Sequence, residues 1–190
     1  MRVAGLLLAA GAGRRMGRPK ALLRDGSGRS FVERAVASLR DGGCGAVTVV
    51  LGASADEARE MVSGGATVVI AEDWDEGMGA SLRTGLAALH DSPADAVVVT
   101  LVDLPDVGAD VVRRVMAVGG GPDALVRAAY DGRPGHPVLL GRDHWAGIAA
   151  GARGDQGARE YFRAHPPTPC ECGDLASGRD VDRPEDLRPR

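Results

Sequence analysis

Short, almost wholly apolar runs alternate along the chain with longer stretches of helical period, and nothing else in the sequence narrows its folding options so far. Val3 to Ala9, "AVTVVLG" (46–52), "ATVVIA" (66–71), "ADAVVVTLVD" (94–103) and "DALVRAAY" (123–130) read as strands. Between them, "SFVERAVASLR" is expected to form a helix with Ser30 as N-cap, Glu33 as its capping-box partner and Gly42-Gly43 as its stop. Further helices are expected over 54–63, opened by Ser54, over 79–90 and over 109–118. Strands apolar on both faces belong in a sheet covered on both sides, and their alternation with helices points to a mainly parallel α/β sheet. "HPVLL", "REYFRAH" and "TPCECGDL" add strands and helices to the same unit, so residues 1–190 are expected to form one domain without linker, repeat or low-complexity tail.

Composition excludes several classes of function. A net charge of −3 and 3% aromatic residues argue against nucleic acid as a partner, which calls for a basic face or stacking rings. The first apolar run is too short to span a bilayer and lacks the basic segment of a secretion signal, so no membrane role is expected. Three cysteines, Cys44, Cys170 and Cys172, form no disulfide framework, which favours the reducing cytoplasm. The C-x-C spacing of the last two is that of same-face residues on a strand rather than of a metal site.

The loop that leaves the first strand carries the chemistry. In open α/β sheets ligands bind at the carboxyl ends of the strands. Here "LLLAAGAGRRMGRPKALL" gathers Arg14, Arg15, Arg18 and Lys20, and Lys20 is the single lysine among 23 basic residues. A compact ammonium and a planar guanidinium are not interchangeable at one phosphate oxygen. A dinucleotide fingerprint would put its third glycine one position earlier than Gly17 and an acid after the second strand, where "VVLGASA" has none, so a dehydrogenase is disfavoured. A Walker loop fails too, because Lys20 follows Pro19 and precedes Ala21 rather than a hydroxyl residue.

Read whole, residues 8–20 resemble the signature L-A-[AG]-G-x-x-x-R-M-G-x-x-K of nucleotidyltransferases of the molybdenum-cofactor type. "EGMGASLRTGL" (76–86), "LVDLPDV" (101–107), "PGHPVLL" (134–140), "GDQGAREYF" (154–162) and "DVDRPEDL" (180–187) follow in the family's order, so the resemblance covers nearly the whole chain. It implies a Rossmann-like nucleotidyltransferase (nucleotide-diphospho-sugar transferase) fold. It further implies transfer of a nucleoside monophosphate from an NTP to a phosphorylated acceptor, dependent on Mg²⁺ and releasing pyrophosphate.

The resemblance also implies roles for particular residues. Leu8, Ala9, Ala10, Gly11, Gly13, Arg15, Met16, Gly17, Lys20, Gly79 and Ser81 would bind the nucleotide, with backbone N–H groups of the 10–17 loop cradling phosphate. Arg15, Lys20 and Asp103 would be catalytic, Asp103 and Asp182 would hold the metal, and His136, Asp155 and Gln156 would face the acceptor. Plainer readings stand beside these: a turn or cap aspartate at Asp103, a helix cap at Asp182, a packed ring at His136 and a solvated side chain at Arg14. "LAAG" resembles the cytidylyltransferase branch, against "LAGG" in the guanylyltransferase branch, although Gly13 departs from the serine or other small residue frequent in the former. The expected pair is therefore CTP and the molybdenum-bearing pterin phosphate. The alternatives are GTP with that acceptor or with phosphoenolpyruvate or phospholactate, and a non-catalytic chaperone delivering the pterin to a molybdenum hydroxylase.

Overall fold

A computed structural model describes residues 1–119 and 121–187. Among them, seven strands form one sheet: β1 (Val3–Leu8), β2 (Val47–Leu51), β3 (Thr67–Ile70), β4 (Ala96–Leu101), β5 (Leu125–Tyr130), β6 (Arg133–Gly141) and β7 (Thr168–Glu171). Their order is β3-β2-β1-β4-β6-β5-β7, and only β6 runs against the rest. The sheet is thus mostly parallel, as the apolar strands require. The reversal at β6 comes from a two-residue hairpin at Asp131-Gly132, both with positive φ, and Asp-Gly is the favoured pair for such a turn.

Helices cover both faces. Val3 and Leu7 of β1 point toward α1 (Phe31–Asp41) and α4 (Ala109–Val118), while Ala4, Leu6 and Leu8 point toward α3 (Met78–Ala88) and α5 (Arg142–Gly151). Two short helices, α2 (Ala55–Arg59) and α6 (Arg159–Ala164), complete the layers. α1 carries the chain from β1 to one side and α4 carries it from β4 to the other across the same face, so the two crossovers have opposite hand. β1 and β4 are neighbours whose following connections diverge, which opens a crevice at their carboxyl ends.

The capping box forms as expected: the Glu33 N–H donates to Ser30 Oγ at 3.0 Å, and the Ser30 N–H donates to Glu33 Oε2 at 2.9 Å. The helix expected over 54–63 is shorter, ending at Arg59, beyond which the Met61 and Val62 N–H groups donate only three residues back, to Ala58 and Arg59. Ser54 precedes it in a left-handed conformation (φ 52°) and makes no side-chain cap bond. Cys170 and Cys172 are buried neighbours beneath the sheet, with their sulfurs 3.9 Å apart, which is the packing reading of C-x-C. No helix among the described residues is long and apolar enough to cross a membrane.

Candidate active site

The crevice between β1 and β4 is a cleft of about 620 Å³. Leu8 to Arg15 and Lys20 line one wall, Leu101 to Asp103 the floor, Trp74 to Met78 with Ser81 the opposite wall, and Asp155, Asp180 and Asp182 the rim. The loop after β1 holds its shape by doubling back. Gly13 has φ +60°, and a Cβ there would lie 2.0 Å from the Arg18 carbonyl oxygen, so the serine frequent in the cytidylyl branch has no room in this loop. The Met16 N–H donates to the Gly13 carbonyl at 2.9 Å, and the Met16 side chain anchors the loop in the core. Lys20 then opens a single 3₁₀ turn, Lys20–Leu22, whose Ala21 and Leu22 are buried, and this directs the lysine into the cleft.

Lys20 bridges two distant acids. Its Nζ donates to Asp103 Oδ2 at 2.7 Å and to Asp182 Oδ1 at 2.6 Å, while Arg15 Nη1 donates to Asp182 Oδ2 at 2.8 Å. Loss of water lowers the Lys20 pKa, but the hydrogen bonds and charges of Asp103 and Asp182 together outweigh it and hold the ammonium above its ordinary value. The Lys20 hydrogen bond, aided by the Arg15 charge, holds Asp182 below the usual carboxylate range against its partial burial. Asp103 and Lys20 are only 15% exposed, so this pairing is little screened by solvent.

The C-terminal segment is strapped down to complete the site. The Cys172 N–H donates to the Ala129 carbonyl, Arg114 pairs with Asp174, and Ser177 donates through both N–H and Oγ to Asp106 Oδ2 at 2.6 Å. The Val181 N–H then donates to the Asp103 carbonyl at 2.9 Å. Val181 is buried, and Asp180 and Asp182 on either side of it line the cleft beside Asp103. Asp182 caps no helix. It is Asp186 that accepts from the N–H groups of Asp182 and Arg183.

Asp103, Asp180 and Asp182 offer oxygen atoms within 4.8 Å of one another. Asp103 Oδ1 is buried and has no hydrogen-bond partner among the described residues, a costly state for a carboxylate oxygen unless a cation takes it. An all-oxygen donor set of this kind fits a hard divalent ion. Three acids against Lys20 and Arg15 also leave the cluster net negative.

A second cavity of about 120 Å³ adjoins the cleft and shares Leu8, Met78 and Asp155 with it. It brings together His136, Asp155 and Gln156, the three residues expected on the acceptor side. Burial first, and then the Arg127 charge, push the His136 imidazole down to about 4. Three residues expected at the nucleotide stand elsewhere. Met16 points into the core, and Gly17 is an exposed turn. Gly79 is a packing position, where a Cβ would lie 2.6 Å from the Arg153 nitrogen. Sequence reasoning missed Trp74, Asp180 and Arg127. The i, i+2 acids of "DVD" could have disclosed Asp180.

Residues 5–168 match the family model described as the MobA-like NTP transferase domain. The chain belongs to this family. It is 38% identical, over 97% of its length and 94% of the relative's, to a nicotine blue oxidoreductase of Paenarthrobacter nicotinovorans. It is 33% identical, over 76% of its length and 66% of the relative's, to a molybdenum cofactor guanylyltransferase of Rhodobacter capsulatus. Among solved structures, Rv0371c from Mycobacterium tuberculosis H37Rv superposes with a TM-score of 0.83 at 30% identity, covering 99% of this chain and 96% of that one. A manganese complex of that protein matches with a TM-score of 0.72 at 28% identity, over 90% and 88% of the two chains. The carboxylate cluster of this MobA-like chain is compatible with a divalent metal of that kind.

Proposed function

We propose that the protein transfers CMP from CTP to the phosphate of the molybdenum-bearing pterin, in a Mg²⁺-dependent reaction that releases pyrophosphate. The observation that carries this reading is Lys20 joined to both Asp103 and Asp182 at the carboxyl ends of β1 and β4, with one buried Asp103 oxygen unpartnered among the described residues. Mg²⁺ bound by Asp103 and Asp182, with Asp180 beside them, would supply charge neutralisation at the α-phosphate. Backbone groups of residues 10–15 cradle the triphosphate, and Arg15 and Lys20 take up the negative charge that grows on the leaving pyrophosphate. A phosphate monoester has its second pKa near ~6, so the attacking oxygen is already ionised at neutral pH and needs no general base. A neutral His136 in the neighbouring cavity accords with that.

Ala10, a buried residue that borders the cleft beside Trp74, supports CTP, because it gives the loop the "LAAG" of the cytidylyl branch. The guanylyltransferase relative favours GTP, with the same pterin or with phosphoenolpyruvate or phospholactate as acceptor. The relative called an oxidoreductase favours a third reading, against which stands the absence of an acid in "GAS" after β2 to take the adenosine ribose of a nicotinamide dinucleotide. Three free, buried cysteines support a reducing cytoplasmic setting, and the product would pass to a molybdenum hydroxylase. Pyrophosphate release with Mg²⁺, the pterin cofactor and each of four NTPs tests the proposal. CTP should be the most active, GTP activity alone selects the guanylyl reading, and silence with all four contradicts transfer to this acceptor. Binding of the pterin without any release, unchanged in Asp103→Asn, selects the chaperone.

A further inference from the structure

The smaller cavity holds two cations that the transfer chemistry does not use. Its floor is apolar, made by Leu8, Leu82, Val99, Val138 and Leu140, with Phe162 at one side. Arg127 from β5 and Arg159 from α6 both line it. Arg127 is half-buried, and its Nε donates to the Gly135 carbonyl at 3.1 Å while its guanidinium lies 5.9 Å from the Phe162 ring centroid. That leaves its four terminal N–H groups without a protein acceptor among the described residues, and neither arginine has a carboxylate within ion-pair distance there. Loss of water and then the Arg159 charge lower the Arg127 pKa, so the two guanidinium groups sense each other across the cavity. His136 beside them is uncharged at neutral pH, so it is neither a third cation nor an anionic partner for them. Asp155 lies at the border with the cleft and pairs with neither arginine.

We propose that Arg127 and Arg159 form an anion subsite that takes a second negatively charged group of the acceptor, remote from the phosphate that receives the nucleotide. A cavity of about 120 Å³ is too small for a whole pterin, yet it opens onto the cleft through Leu8 and Met78. It therefore suits one end of a molecule whose phosphate lies beside Lys20. Guanidinium groups recognise planar or tetrahedral oxyanions by paired N–H donors, and a half-buried unpaired guanidinium gains most from such a partner. The pair would select acceptors carrying two separated negative charges over those with a phosphate alone. The identity of the acceptor as a nucleotide-receiving molecule rests on the function proposed above, whereas the anion site itself does not.

The test has a binding arm and a kinetic arm. In the full chain carrying Arg14→Ala, Arg15→Ala and Lys20→Ala, which removes the cations lining the cleft, inorganic phosphate is titrated while the arginine side-chain Nε resonances are followed by NMR. Arg127 and Arg159, assigned with Arg127→Lys and Arg159→Lys, should shift together with one dissociation constant, and Arg159→Met should weaken that constant at least fivefold. No shift at either arginine overturns the subsite, and shifts that follow different dissociation constants, an adventitious ion only, overturn it too. In the otherwise native protein, Arg159→Met should raise the KM for the pterin cofactor at least tenfold and leave the KM for the NTP within twofold. An unchanged acceptor KM overturns the assignment. Because Arg159 is exposed, this variant does not depend on refolding the core. Failure of the transfer reading shows instead as no pyrophosphate from the native chain, whatever the phosphate titration reports.

Discussion

Lys20 Nζ lies 2.6 Å from Asp182 Oδ1, although 162 positions separate the two residues in the chain. The contact ties the loop after the first strand to the last segment of the fold, and Asp103 on the floor completes it from a third direction. One ammonium thus fixes the two carboxylates that, in the proposed transfer, would hold a metal, and it would there meet phosphate charge.

Replacing that ammonium should be costly even when charge is kept. Lys20→Ala should lower kcat by ~10²–10³, the usual loss for one preorganised charge at a reacting centre. Lys20→Arg should recover less than a tenth of it, because a planar fork cannot sit between Asp103 and Asp182 in the lysine's place. Steady-state pyrophosphate release on both variants, with CTP and GTP in parallel, measures this.

Divalent ions should stabilise the protein through Asp103. Adding Mg²⁺ or Mn²⁺ should raise the Tm of the native chain by linkage, and Asp103→Asn should abolish the rise. Chelator should return the native Tm to its metal-free value. A thermal melt of each protein with and without metal checks the point, with equal rises counting against Asp103 as a ligand.

The loop should not accept a side chain at Gly13. Both its φ of +60° and the 2.0 Å approach to the Arg18 carbonyl forbid a Cβ, so Gly13→Ser should cost about 1–3 kcal/mol and displace Arg15 and Lys20. Urea unfolding gives the first figure, and the NTP dissociation constant reports the second. Gly17→Ser, at an open turn position, should affect nucleotide binding far less.

Acid should destabilise the fold through His136. Its pKa is about 4 when folded and near 6.5 when unfolded, so between these values the unfolded chain binds more protons and stability falls as pH drops. Across that window the loss should reach up to about 3 kcal/mol, and His136→Phe should flatten it. Urea midpoints from pH 4 to 7 for both proteins measure the difference, and histidine NMR should show no titration of His136 above pH 5.

Much of this arrangement is legible in the sequence, because the apolar period of the strands and the punctuation at Ser30, Glu33 and Gly42 are local signals. Asp103 and Lys20 lie in short motifs next to β4 and β1, so a reader who finds those strands finds their carboxyl ends as well. What could not be read is what depends on the path of the chain between elements. The Asp131-Gly132 turn that reverses β6 was present as a signal but changes the sheet only through pairing with β4. Asp180 enters the acid cluster because Val181 is buried and bonded to Asp103, a contact across 78 positions. Gly79 looked like part of a nucleotide turn, yet the segment at Arg153 packs against it, and no local pattern announces that contact. Arg127 reads as an ordinary strand residue until Phe162 and Arg159 are brought beside it.

Following the nucleotide itself tests the central claim most directly. With Mg²⁺, the pterin cofactor and CTP labelled at the α-phosphate, the label should move into the pterin product, whereas label at the γ-phosphate should appear only in pyrophosphate. Asp103→Asn should abolish both signals. The account is contradicted if α-label from neither CTP nor GTP reaches the pterin, while the same preparation oxidises NADH.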